Sequence, residues 1–99
     1  MDQKEALRKA RKYKVLIQKH FDLDKLYLYG SYANQTNKAD SDIDIAVVVN
    51  SLSGDYFSFT PLLWRLRRKV DSRIEPVIIE KGKDLSGFLE EIEKHGIEV

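Results

Sequence analysis

Residues 25–50 read KLYLYGSYANQTNKADSDIDIAVVVN, and the rest of the chain is organised around them. Leu26–Tyr29 is rich in residues that suit a pleated, half-buried surface, and it ends at Gly30-Ser31. Asn34–Ser41 is polar and turn-prone. A second run follows, Asp42–Val49, and ten residues separate Ser31 from Asp42. Side chains of a strand alternate, so Asp42, Asp44, Ala46 and Val48 share one face, and Ile43, Ile45, Val47 and Val49 the other. Beyond Asp44 both faces are apolar, as in a central strand. Charge is confined to the start of one face.

Upstream, Ala6, Ala10, Tyr13, Leu16, Ile17 and Phe21 recur at spacings of three and four and predict a helix over 2–20, with Asp2 as its N-cap. Lys4, Arg8, Lys9, Arg11, Lys12 and Lys14 fill its other side, read as a solvated face. Asp22–Asp24 is expected to turn, and Ser31 to cap a short helix ending at Ala33 or Asn34. Downstream, NSLSGD (50–55) reads as a loop. The stretch 56–69 reads as a helix with Phe57, Leu62 or Leu63, Leu66 and Val70 inward, and Pro61 is best tolerated in its first turn. The basic residues Arg65, Arg67, Arg68 and Lys69 suit its C-terminal end.

Residues 72–79 read as a third strand, with Pro76 giving it the character of an edge. Asp84 or Ser86 caps a last helix with Phe88, Leu89, Ile92 and His95 inward. Gly96 ends that helix and 97–99 extend beyond it. Alternation of this kind predicts an α/β (α+β) fold, a small mixed sheet flanked by helices, in one domain spanning 1–99.

Composition narrows the classes. The 99 residues suit one domain, 42% are hydrophobic, and the formal charge is +1. That balance does not point to nucleic acid or an anionic membrane. There is no cysteine, hence no disulfide or thiolate metal site. No apolar run reaches membrane-spanning length, and the first residues lack the apolar core of a signal peptide. The expected location is the cytoplasm.

The chemistry sits at the two ends of the polar loop. Gly30 has no Cβ, so a phosphate can come close to the backbone, and the first N–H groups of a following helix point outward. Asp42 and Asp44 place two carboxylates on one strand face, where they repel unless a cation lies between them. Mg²⁺ takes oxygen ligands shared between such carboxylates and substrate phosphates. A two-metal transfer calls for a third carboxylate to help activate the attacking hydroxyl. Asp71 and Glu75 are the candidates, with Glu75 favoured because it lies inside the third strand.

Together, Gly30-Ser31, ten residues, then Asp42-x-Asp44 resembles the signature of the polymerase β-type nucleotidyltransferases. Leu28–Ala33 and Ser41–Ile45 look like the minimal nucleotidyltransferase (MNT) domains of that superfamily. The resemblance implies a polymerase β-like core that binds ATP with two Mg²⁺ ions. It implies Asp42, Asp44 and Glu75 as metal-binding and catalytic residues, and Gly30 and Ser31 as the triphosphate holders. It further implies transfer of AMP to a hydroxyl, such as a tyrosine of a HEPN-type helical partner in a toxin–antitoxin pair. The alternative is a non-catalytic nucleotide-binding module that neutralises or complements its partner by complex formation. Two departures stand out. Gln35 occupies a place where family members often have Gly, and Arg68-Lys69-Val70-Asp71 echoes members whose third acidic residue is an Asp.

Elsewhere, His20 and His95 read as structural or solvated, Trp64 as core or interface, and Tyr13, Tyr27, Tyr29, Tyr32 and Tyr56 as packing. Tyr32 is also placed to touch a nucleotide. Lys38 and Arg73 read as solvated charges.

Overall fold

A computed structural model describes residues 1–52, 56–84 and 86–99, without the side chains of Tyr56 and Phe57. The inward position expected of Phe57, the packing expected of Tyr56 and part of the 50–55 loop therefore lie outside the described residues.

The elements run α1 (Gln3–Gln18), β1 (Leu23–Tyr29), α2 (Ser31–Asn34), β2 (Ile43–Val49), α3 (Tyr56–Arg67), β3 (Ile74–Glu80), α4 (Phe88–His95) and β4 (Ile97–Glu98). The strands form a mixed sheet in the order β3-β2-β1-β4. β1 pairs antiparallel with β2 and β4, whereas β2 and β3 are parallel across the α3 crossover. This is the α/β (α+β) architecture expected, with β2 central and β3 at an edge. The edge position accommodates Pro76, which cannot donate to a ladder on both sides.

The alternation read from β2 divides the core. Ile43, Ile45, Val47 and Val49 pack with Leu26, Leu28, Ile74 and Ile78 against α1 and α3. Ala6, Ala10, Tyr13 and Ile17 form the buried stripe of α1, and the Tyr13 hydroxyl donates to the Leu63 carbonyl of α3 at 2.8 Å. On the opposite face Tyr27, Ala46, Val48 and Ile79 pack against Ile92 of α4. One face is thus closed by two long helices. Among the described residues the other carries only the short α4, which leaves the Asp44 end of β2 accessible.

Several local expectations need correction. β1 begins at Leu23, earlier than expected, because a bulge between Leu23 and Lys25 absorbs the change of register with β2. Ser31 is the first residue of α2 and the cap position belongs to Gly30, which makes no side-chain cap hydrogen bond. Pro61 lies inside α3 rather than in its first turn, at an exposed position where carbonyls that lose a partner can take water. Asp84 and Ser86 act jointly: Asp84 Oδ2 accepts from Leu89 N at 2.5 Å, and Ser86 Oγ accepts from Phe88 N at 3.2 Å. His95 points outward to Glu91, 3.6 Å away, instead of joining the inner stripe. Lys9 is not solvated, because its side chain is 17% exposed and ion-paired with Asp71.

Asp2 caps α1 as expected, accepting from Glu5 N at 2.9 Å. The C-terminal residues form β4, and Val99 N donates to the Leu26 carbonyl at 2.8 Å. Among the described residues no helix is long and apolar enough to cross a membrane.

Candidate functional site

Strand register assembles a row of three side chains across the accessible face. Tyr29 of β1 is the antiparallel partner of Asp44, and Glu75 of β3 is its parallel partner. Directly paired residues point to the same side of a sheet, so the three stand together. Asp42, one step before β2, is exposed and near enough for its charge to raise both Asp44 and Glu75. The structure thus brings Asp42, Asp44 and Glu75 into one cluster.

Asp71 is excluded from it. β3 begins at Ile74, so the shared parity of Asp71 and Glu75 does not orient Asp71. Its carboxylate instead accepts from Arg73 N at 2.8 Å and from the Arg73 guanidinium at 3.0 and 3.2 Å, and it is ion-paired with Lys9 of α1. The Arg73 hydrogen bond, ahead of that to Lys9, holds Asp71 far below the usual carboxylate range. It ties α1 to the β3 entrance, and Arg73, read as a solvated charge, is its partner.

The electrostatics of the cluster have the opposite sign. Burial pushes the Asp44 carboxyl up to about 6, and the charges of Glu75 and Asp42 add to the effect. Glu75 is raised by burial first and then by the Asp42 charge, with Arg67 opposing. Tyr29 is pushed up to about 12, chiefly by burial and then by Asp44 and Glu75. In all three, burial disfavours the charged form first and the neighbouring negative groups add to it.

Gly30 adjoins this cluster, with φ 74° and ψ −149°. A Cβ there would lie 2.3 Å from Asp44 Oδ2. The glycine is therefore required twice, once by its backbone conformation and once by the carboxylate lying against its Cα. α2 follows, closed by Thr36 N donating to the Ser31 carbonyl at 2.9 Å. Gln35 takes the left-handed conformation, φ 58° and ψ 34°, so the loop keeps the turn a glycine would make there. Tyr32 is fully buried in the main core and unavailable to a nucleotide.

Among the described residues, no group of three or more His, Cys, Asp or Glu side chains forms a ready-made metal cage. Mg²⁺ does not need one, since it is usually held by one or two carboxylates together with water and phosphate oxygens. The donor set fits that mode: Asp42 and Asp44 offer hard oxygens, burial and then the neighbouring carboxylates raise Asp44, and the missing Cβ of Gly30 lets the Asp44 carboxylate lie against the turn.

The sequence reading missed Tyr29, which it assigned to packing. The signal was present in its position next to Gly30, but only the β1–β2 register shows that it faces Asp44. Phe88 was also missed: its ring meets that of Tyr29 edge-on, with centroids 5.6 Å apart.

Comparisons with known proteins bear on the family and the fold. The family model described as "Polymerase beta, Nucleotidyltransferase" matches residues 11–99. MJ0141 of Methanocaldococcus jannaschii, a candidate protein adenylyltransferase, is 32% identical over 79 residues, covering 78% of this chain and 79% of its own. A candidate nucleotidyltransferase from Sulfolobus solfataricus superposes with a TM-score of 0.73 at 19% identity, over 97% of this chain and 80% of its own, a likeness of fold. A toxin–antitoxin structure with AMP-PNP gives 0.69 at 27% identity, over 90% of this chain and 70% of that one. The chain belongs to the polymerase β nucleotidyltransferase family.

Proposed function

We propose that this nucleotidyltransferase moves AMP from ATP to a protein hydroxyl in the cytoplasm, and that the acceptor is a tyrosine of a HEPN-type helical partner. The observation that carries the reading is the cluster of Asp42, Asp44 and Glu75 on one open sheet face beside Gly30. The partner is suggested by the toxin–antitoxin neighbour solved with AMP-PNP, and the protein acceptor by the adenylyltransferase relative.

Asp42 and Asp44 would hold two Mg²⁺ ions, whose charge would offset that of the triphosphate and of the leaving pyrophosphate. Gly30 and Ser31 would receive the terminal phosphates on backbone N–H groups and the serine hydroxyl. Glu75 is exposed and its carboxyl is raised from its ordinary value, a direction that suits a base that takes the acceptor's hydroxyl proton. The freed oxygen bonds to the α-phosphorus, the bond to the bridging oxygen breaks, and pyrophosphate leaves.

The test is transfer of labelled AMP to the co-expressed partner. Asp42→Asn combined with Asp44→Asn is expected to abolish transfer with the far-UV spectrum unchanged. Undiminished transfer overturns the reading. A variant that no longer transfers AMP but still fully neutralises its partner would instead assign the chain's role to complex formation.

A further inference from the structure

A cleft of about 200 Å³ opens between β1 and α4, on the side of Asp44 away from Glu75, with Tyr29, Gly30, Asn34, Phe88, Glu91 and His95 on its walls. It is not the roomiest space in the molecule. A cavity of about 380 Å³ runs along the edge strand β3, but its lining includes neither Gly30 nor any of the three clustered carboxylates. The smaller cleft shares Gly30 with the phosphate turn, so a group lying in it can be joined to phosphates at that turn.

Its walls have two kinds of surface. Tyr29 and Phe88 meet at an interplanar angle of 85°, giving two apolar ring surfaces at right angles. Phe88 is 37% exposed, an aromatic left uncovered at the cleft mouth where burial on the inner stripe was expected. Asn34 stands at the end of α2, and Glu91 and His95, 3.6 Å apart, line one side of α4. A planar heterocycle has apolar faces and a polar edge of donors and acceptors, and the cleft offers a counterpart to each. A phenol ring has a single polar atom and would leave most of these groups unmatched.

We propose that the β1–α4 cleft is a nucleobase subsite, taking the purine ring of the nucleotide whose phosphates reach Gly30. The inference rests on the nucleotidyl-transfer reading above and extends it to the part of the substrate that does not react. Phe88 supplies the stacking face, and Asn34, Glu91 and His95 read the ring edge. α4 is joined to the sheet mainly by Leu89 and Ile92, so a bound ring would also brace it against β1.

The test is isothermal titration with Mg²⁺ and three probes: a non-hydrolysable ATP analogue, its cytidine counterpart and inorganic tripolyphosphate. Wild type is expected to bind the adenine analogue more tightly than the cytidine one. Phe88→Ala should weaken the adenine analogue about tenfold or more, the scale of one lost base–aromatic stack, and leave tripolyphosphate unchanged. Asn34→Ala with His95→Ala, both at exposed positions, should weaken the adenine analogue alone and keeps the test decisive if Phe88→Ala does not fold.

Equal weakening of all three probes, or no weakening of any, overturns the subsite. Equal binding of the adenine and cytidine analogues overturns the purine assignment. Failure of wild type to bind both tripolyphosphate and the ATP analogue overturns the nucleotidyl-transfer reading as well, which separates the two failures.

Discussion

Replacing Asp44 by Asn should make the metal-free protein more stable at neutral pH. The Asp44 carboxyl is held at about 6 against an ordinary value of 3.8, a difference of roughly two units, or about 3 kcal/mol at 1.36 kcal/mol per unit. Asp44 is only half-buried, and solvent screening reduces this to about 1–2 kcal/mol. The folded pKa lies above the unfolded one, so folding favours the protonated form. The penalty is absent well below pH 3.8, grows as pH rises through 3.8 to about 6, and is complete above that. Urea unfolding of wild type and Asp44→Asn in EDTA measures it. The variant should be more stable by about 1–2 kcal/mol at pH 7.5, about 5–10 °C in Tm for a chain of this size. The gap should shrink to a small fraction of that at pH 4. Mg²⁺ with a non-hydrolysable ATP analogue should then stabilise wild type more than the variant. A variant less stable than wild type at pH 7.5, or a gap indifferent to pH, would refute the reasoning.

The remaining predictions separate the roles of neighbouring residues. Glu75→Gln should lose AMP transfer, read with labelled ATP, without lowering its urea midpoint, since its carboxyl is raised in the same direction as that of Asp44. Asp71→Asn should do the reverse, keeping transfer per folded molecule while losing about 1–3 kcal/mol with the Lys9 and Arg73 contacts. Because the folded pKa of Asp71 is depressed, its contribution is present above pH 3.8 and fades as pH falls below it, which chemical melts across that range will show. Gly30→Ala should cost at least about 1 kcal/mol from its positive φ and abolish triphosphate binding by calorimetry, since the new methyl displaces Asp44. Gln35→Gly should raise stability by about 0.5–1 kcal/mol by removing the left-handed strain on a residue whose side chain makes only a long, exposed hydrogen bond to Gln3.

What could be read from the chain was whatever period and spacing encode. The alternation in Asp42–Val49 predicted both faces of β2, and the structure divides its core along that line. The stripe of α1 and the edge position of β3 follow in the same way. What could not be read depends on which residues lie opposite each other. Sequence parity left Asp71 and Glu75 equivalent and the expected strand merely favoured Glu75, whereas the start of β3 at Ile74, paired in parallel with Ile43, separates them. Tyr29 read as packing because its neighbour across the sheet was unknown. Lys9 read as solvated because its partner lies 62 positions away.

The same register explains why the two acidic candidates differ in kind. Asp71 lies where the chain offers compensation: a backbone N–H two residues on, a guanidinium and an ammonium all converge on it. A carboxylate so satisfied is poorly suited to bind a cation or accept a proton, because either would first have to displace those partners. Glu75 lies where the chain withholds compensation. Its neighbours on that face are Asp44 and Asp42, and the opposing influence of Arg67 does not bring it back to its ordinary value. Under the proposed function, in which the site receives Mg²⁺ and a tetra-anionic triphosphate, it gains by keeping its carboxylates short of protein partners, since the ligand then supplies the missing charge. Instability at the Asp44 end of β2 and competence to bind are on this view one property, and the buried apolar remainder of β2 is what lets the fold tolerate it.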